Sequence, residues 1–228
     1  MTAPRSILII GASRGLGLGL AGEFAAQGWA VTATVRSAAQ QAPLQALPGV
    51  RVEQLEMTDP DSLEQLANRL NDQQFDVIFV NAGVAGPEHH STAQASAEEM
   101  GQLFLTNAVA PLRVAERLLP NLAAEHGLIV FMSSILGSIE AGAGLGMPLY
   151  GASKAALNHL VQCFVRTQDN PKLGVVLMHP GWVRTDMGGA DAPLDIDSSC
   201  KGMVAQVSAA VGQPGLRYQD YEGNPLPW

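Results

Sequence analysis

The run Ser6-Ile7-Leu8-Ile9-Ile10, followed at once by Gly11-Ala12-Ser13-Arg14-Gly15-Leu16-Gly17, sets the architecture of the chain. Four branched apolar residues in a row, with no polar alternation, predict a short strand buried on both faces. Gly11 permits a tight turn at its end, and the later glycines let the backbone approach a pyrophosphate and let the next helix pack close. That helix carries Leu16, Leu20 and Phe24 at four-residue spacing, one apolar face for a sheet. Its N-terminus offers unpaired N–H groups and about half a positive charge to an anion. Alone, the GxxxGxG spacing is also that of an ordinary turn. At the first strand–helix junction it predicts a dinucleotide-binding turn at Gly11, Ser13, Arg14, Gly15, Leu16 and Gly17.

The same alternation continues outward. Ala30–Val35, Val50–Met57, Asp76–Val80, Leu128–Met132 and Val175–Met178 read as further buried strands. Between them stand helix starts: Thr58-Asp59-Pro60-Asp61 offers a cap followed by a first-turn proline, and Ser96-Ala97-Glu98-Glu99 is a capping box. Strand–helix alternation with right-handed crossovers predicts an α/β doubly wound parallel sheet with helices on both faces, a Rossmann fold. No repeat or charged linker divides the chain, so a single domain over residues 1–228 is expected. Three segments rich in Gly, Pro, Ala and Ser, 85–95, 135–147 and 184–199, follow strand ends and are the expected pocket walls.

The bulk of the 228-residue chain fits this picture: 47% hydrophobic residues suffice for one filled core, and 15% charged residues argue against disorder. A net charge of −8 repels phosphate backbones and anionic lipid, so neither nucleic acid nor a membrane is expected as partner. No apolar run approaches the ~20 residues of a spanning helix. The two cysteines, Cys163 and Cys200, stand in no CxxC or Cys/His cluster and read as isolated thiols, which places the chain in a reducing cytoplasm.

Two stretches carry chemistry. The second strand ends Thr34-Val35-Arg36-Ser37, where an NAD site is expected to place an acid for the ribose 2′-hydroxyl. Arg36 stands there instead, and Arg14 lies in the glycine turn. Two guanidinium groups facing one ribose favour a 2′-phosphate, hence NADP(H) over NAD(H); the alternative is a pair of solvated surface arginines. Further along, Tyr150-Gly151-Ala152-Ser153-Lys154 puts a phenol and an ammonium on one helix face. A free phenol titrates near 10, so proton exchange near neutrality requires stabilising its anion by about 4 kcal/mol, much of which a fixed cation can supply, helped by the positive ring of an oxidised nicotinamide.

With Asn81-Ala82-Gly83, Asn107, Ser133-Ser134 and Pro180-Gly181-Trp182-Val183-Arg184-Thr185 added in order, the sequence resembles the short-chain dehydrogenase/reductase family over essentially its whole length. Within it, residues 133–139 (SSILGSI), 179–189 (HPGWVRTDMGG) and 221–228 (YEGNPLPW) look like the branch of C-factor-like and sniffer-like carbonyl reductases. The resemblance implies hydride transfer between a nicotinamide and a small carbonyl compound or alcohol. Tyr150 would be the general acid/base, Ser134 the holder of the substrate oxygen, Lys154 the cation that tunes the phenol and binds ribose, and Asn107 the holder of a relay water. Asn81, Ala82 and Gly83 would line the adenosine ribose side, Val183 and Thr185 would fix the carboxamide, and Pro180 and Gly181 would also bind the cofactor. Association as a homodimer or homotetramer is implied too.

The chain departs from the family pattern in places. Ile10 replaces a common Thr, Glu56-Met57 stands where an Asp often meets adenine, and the Ser134–Tyr150 interval is longer, filled by Ala141–Gly146. His89 and His90 lack further ligands at metal spacing, so no metal is expected. His179 reads as a packed, hydrogen-bonded histidine, and Pro111 as a kink beyond Asn107. A second reading is a nicotinamide-nucleotide-binding signalling or regulatory protein with little or no turnover. For the cofactor, Arg36→Asp is expected to move the NADPH/NADH ratio of kcat/KM toward NADH; an unchanged ratio would count against a 2′-phosphate site.

Overall fold

In the computed structural model, which describes residues 4–228, seven strands form one parallel sheet in the order β3-β2-β1-β4-β5-β6-β7. They are β1 (Ser6–Ile10), β2 (Ala30–Val35), β3 (Arg51–Gln54), β4 (Val77–Val80), β5 (Leu128–Met132), β6 (Gly174–His179) and β7 (Gly215–Asp220). The helices are α1 (Gly15–Ala26), α2 (Ala42–Gln45), α3 (Pro60–Arg69), α4 (Ala97–Phe104), α5 (Ala110–Leu118), α6 (Pro148–Arg166) and α7 (Ile196–Ala210). Among the described residues no helix is long and apolar enough to cross a membrane.

Each central strand feeds two cores, because alternate side chains leave opposite faces of the sheet. Ile7 and Ile9 of β1 pack with Leu20 and Phe24 of α1 and with Met203, Val204 and Val207 of α7. Leu8 and Ile10 pack the other way, with Leu63 and Leu66 of α3, Val114 and Leu118 of α5 and Leu157 and Val161 of α6. Both predicted helix starts are built as read. Asp59 accepts from the Asp61 N–H ahead of Pro60, and Ser96 and Glu99 close a reciprocal capping box.

Three features differ from the sequence reading. The strand expected over Val50–Met57 is only β3, Arg51–Gln54. It is an edge strand with three of its four side chains not fully buried, so the apolar residues beyond it, Leu55 and Met57, join the core from a turn. The edge strand β7 is not among the strands expected: GLRYQD is half polar, and among the described residues its one strand partner is β6, with Pro225 bridging back to Gln219 on the other side. Finally, the kink near Pro111 is a π-helical turn over Leu105–Val109 that joins α4 to α5 and turns Asn107 fully inward.

Phe131 lies fully buried at the middle of the sheet, between Val80 of β4 and Leu177 of β6. Phe131→Ala is expected to cost about 3–5 kcal/mol, read as a lowered urea midpoint; a loss below about 1 kcal/mol would mean the site collapses without a cavity.

Candidate active site

The strand order reverses between β1 and β4, and the loops leaving these neighbours part there. Gly11 takes φ +86°, and its N–H is bonded by the Thr34 hydroxyl at 2.9 Å. This hydroxyl, reached from β2, stands in for the one that Ile10 lacks; sequence reading passed over it as an ordinary strand threonine. The Gly11 carbonyl accepts from Asn81 Nδ2 at 2.6 Å, so the two diverging loops are tied together. A Cβ at Gly17 would fall 2.1 Å from that carbonyl and 2.7 Å from Asn81 Nδ2, which is why the first turn of α1 can lie so close. No side chain caps α1, leaving the first N–H groups of the helix facing the cleft.

This cleft, of about 820 Å³, is lined by nearly all the residues named in advance: the glycine turn, Arg36, Glu56, Met57, Asn81–Gly83, Ser134, Tyr150, Lys154, Pro180, Gly181, Val183 and Thr185. Ser37 does not line it and instead precedes a short 3-10 turn. Asn107 sits behind the wall. Its amide oxygen accepts from the Val84 N–H at 2.9 Å, and its nitrogen donates to the Val84 carbonyl and to Ser153 Oγ at 2.8 and 3.0 Å. Its side chain therefore braces the loop after β4.

Of the expected walls, 135–147 contributes Leu136, Leu145 and Met147, and the 184–199 segment contributes through Gly188, beyond which α7 begins at Ile196. Segment 85–95 does not reach the cleft; Val84, Gln102 and Thr106 stand there instead. Gly86 turns toward Leu103 of α4, with its own Cβ position 3.1 Å from that side chain. Trp182, Met187 and Leu145 are exposed at the cleft, an apolar rim.

The two arginines differ. Arg36 lines the cleft with no ion-pair or hydrogen-bond partner for its guanidinium among the described residues. Arg14 lines it too, but its guanidinium pairs with Asp186, 172 residues away in sequence and also on the cleft wall. Both members are mostly exposed, so the pair adds little stability. The Glu56 carboxylate takes the hydroxyl and N–H of Thr58 at 2.8 and 3.2 Å, which occupies one of its oxygens locally.

At the other end of the cleft, Tyr150 and Lys154 follow one another on α6, and Ser134 follows β5. Lys154 is 3% exposed; Nζ donates to the Met132 carbonyl at 2.8 Å and lies 5.6 Å from the centre of the Tyr150 ring. Gly83 keeps this room open, since a Cβ there would stand 3.4 Å from Nζ and 3.2 Å from Asn107 Oδ1. The expected fall of the phenol toward neutrality is not what the protein groups produce. Burial pushes Tyr150 up to about 12, the Ser134 hydroxyl opposing the rise and Tyr218 adding to it. Burial likewise draws Lys154 down to about 8. Desolvation of the charged form is the leading cause of both shifts.

His179 also lines the cleft but is not the hydrogen-bonded histidine expected: Nδ1 is buried without a partner, and burial pulls the ring down to about 4 against the pull of Asp220. It is neutral at physiological pH. Both cysteines are free, Cys163 exposed and Cys200 buried. Among the described residues no group of three or more His, Cys, Asp or Glu side chains is placed to hold a metal ion.

Comparison with known proteins agrees with this geometry. The model of the short chain dehydrogenase family matches residues 5–193. The chain therefore belongs to the short-chain dehydrogenase/reductase family of oxidoreductases. A carbonyl reductase of Pseudomonas aeruginosa PAO1, solved in complex with NADP, is 41% identical, with a TM-score of 0.90 over 99% of this chain and 100% of that one. The carbonyl reductase Sniffer of D. melanogaster is 32% identical at a TM-score of 0.87, covering 99% and 100%. The C-signal of Myxococcus xanthus is 36% identical over 154 residues, 67% of this chain and 92% of that protein.

The depressed Lys154 has a measurable consequence. Between pH 8 and 10.5 the unfolded lysine still holds a proton that the folded one has released, so folding is favoured increasingly as pH rises through that window. The stability of the wild type relative to Lys154→Met, from urea unfolding, is expected to climb by up to about 3 kcal/mol across it. A flat difference would show that the ammonium is not desolvated.

Proposed function

We propose that this chain is an NADPH-dependent carbonyl reductase acting on a small, largely apolar aldehyde, ketone or quinone, with Tyr150 as the general acid. The observation that supports this most is the meeting of Ser134, Tyr150 and Lys154 on the same cleft as the glycine turn, although they come from different elements. A side chain at Gly17 would fill the turn, the α1 N–H groups face the cleft, and the free Arg36 guanidinium suits a 2′-phosphate. The residues present therefore fit NADP(H), and the absence of an acid at position 36 makes NAD(H) the weaker ligand. That the Pseudomonas relative was solved with NADP supports the same choice.

Bound NADPH would supply the hydride and, once it is transferred, a positive ring beside the phenol. The chain's own groups do the rest. Ser134 would hold the carbonyl oxygen, and Tyr150 would pass its hydroxyl proton to that oxygen as negative charge develops there. A phenol held up to about 12 carries its proton at neutral pH, the form that reduction requires of it; in oxidation it would be the base. Lys154 would bind the nicotinamide ribose hydroxyls and stabilise phenolate after the transfer. Asn107, by bracing the Val84 loop beside Ser153, would hold the relay path to Lys154 in place. Asn81–Gly83 would lie along the adenosine ribose side, Val183 and Thr185 would fix the carboxamide, and Pro180 and Gly181 would also bind the cofactor. The apolar rim of Leu145, Trp182 and Met187 suits a substrate with little charge.

The likeness to the C-signal supports a second reading, a nicotinamide-nucleotide-binding signalling or regulatory protein with little turnover. A binder has no need of a buried phenol–ammonium pair, which weighs against it. NADPH consumption with a panel of aldehydes, ketones and quinones separates the two. Turnover that falls at least about 100-fold in Tyr150→Phe, with NADPH affinity unchanged, is the expected result. Tight NADPH binding with no turnover on any of them would favour the binder.

A further inference from the structure

Ser134 is the second residue past the end of β5, so the sheet ladder does not aim its hydroxyl. Its oxygens are held by other means. Oγ accepts from the Leu136 N–H at 3.2 Å, and the carbonyl accepts from the Gly137 N–H at 2.9 Å and also from the hydroxyl of Tyr218. Tyr218 lies on β7, two strands away, opposite Leu177 of β6, which is itself opposite Phe131 of β5. Its side chain stands on the same face of the sheet as those two, and it is 4% exposed.

The ground beneath is tied as well. Ser133 Oγ donates to Asn158 Oδ1 at 2.6 Å, and Asn158 Nδ2 donates to the Gly137 carbonyl at 3.3 Å. Asn158 lies one helical turn beyond Lys154 on α6. Outside, the chain after β7 folds back. The Leu226 N–H bonds the Tyr218 carbonyl at 2.8 Å, and the Trp228 ring packs on Tyr218 with centroids 5.4 Å apart. The main-chain oxygen of Trp228 accepts from the Glu140 N–H at 3.4 Å and from Ser138 Oγ at 3.5 Å.

We propose that Tyr218 is a positioning residue: its hydroxyl, locked onto the Ser134 carbonyl, fixes the peptide plane that aims the Ser134 hydroxyl at the substrate oxygen. A carbonyl with both acceptor positions filled cannot swing, and the peptide that carries it sets the backbone angle of Ser134. The phenol donates to the Ser134 carbonyl with the side chains of Ser133 and Asn158 close beside it, so deleting the hydroxyl removes one of the two donors that hold this carbonyl and leaves the Gly137 N–H alone on it. The edge strand and the segment after it thereby act on catalysis without touching the reactants. This proposal rests on the reductase reading above.

Tyr218→Phe tests it, since it deletes the hydroxyl and keeps the ring against Trp228. The kcat for carbonyl reduction is expected to fall roughly 10- to 100-fold while the KM for NADPH stays within about twofold, the pattern of a misplaced reacting group. In a Ser134→Ala background the same change is expected to alter kcat by less than about twofold, because its effect passes through the Ser134 hydroxyl. Equal losses in both backgrounds, or an unchanged kcat in the single variant, would overturn the proposal. Amide exchange of Leu136 and Gly137, followed without substrate, is expected to speed up in Tyr218→Phe. Unchanged exchange would overturn it too. A wild-type chain that turns over no carbonyl compound removes the reductase reading and the catalytic half of this one, and the exchange result still decides whether Tyr218 holds Ser134.

Discussion

All seven strands run the same way, and the site depends on that parallelism. In a parallel sheet every strand delivers its carboxyl end to one edge, where the ladder stops and backbone groups must find other partners. The reversal between β1 and β4 opens that edge, because their following loops leave in opposite directions. What closes the gap is not more sheet but individual bonds: Thr34 to the Gly11 N–H, Asn81 to the Gly11 carbonyl, Asn107 to both main-chain groups of Val84. These tie loops from β1, β2, β4 and the α4–α5 turn into one rim. Loosening one would disturb ligand contacts several residues away, since the loops share these ties.

The catalytic end shows the cost of placing polar groups in such a position. Tyr150 and Lys154 are both buried, and burial shifts each toward its uncharged form. The fold meets them with neutral partners rather than counter-charges: the Met132 carbonyl for the ammonium and the Ser134 hydroxyl for the phenol. A nearby carboxylate would have held Lys154 charged but would also have opposed phenolate. Neutral dipoles leave the phenolate to be stabilised by Lys154 and, on the reductase reading, by the positive ring that hydride transfer would leave beside it. Burial thus keeps the phenol in its protonated form in the protein alone.

Much of this was legible from residue order. The glycine turn, both helix starts, five of the strands and the Tyr150/Lys154 pairing depend on side chains within a few positions of one another, and turn chemistry and helical periodicity are local rules. The parts that were misjudged involve distant partners. Arg14 was expected at the ribose, but Asp186 meets it from the far side of the cleft. Segment 85–95 has the composition of a pocket wall, yet Leu103 draws Gly86 away from the cleft. Strand β7 lacks an apolar run, its one strand partner among the described residues being β6, and with it Tyr218 went unnoticed. The phenol's neighbour on the helix is local, whereas the burial that raises its pKa, with Ser134 opposing and Tyr218 adding, comes from residues distant in sequence.

The sequence by itself thus determined the class of fold, the glycine turn at its first strand–helix junction and the candidate pair Tyr150 and Lys154, since each is written in contacts of short sequence range. Only the tertiary structure decided which loops form the cleft, which arginine stands free, how deeply Tyr150 and Lys154 are buried and what holds Ser134. Those outcomes turn on packing and desolvation between residues tens to hundreds of positions apart. Such energies belong to the assembled interior and to no segment taken alone.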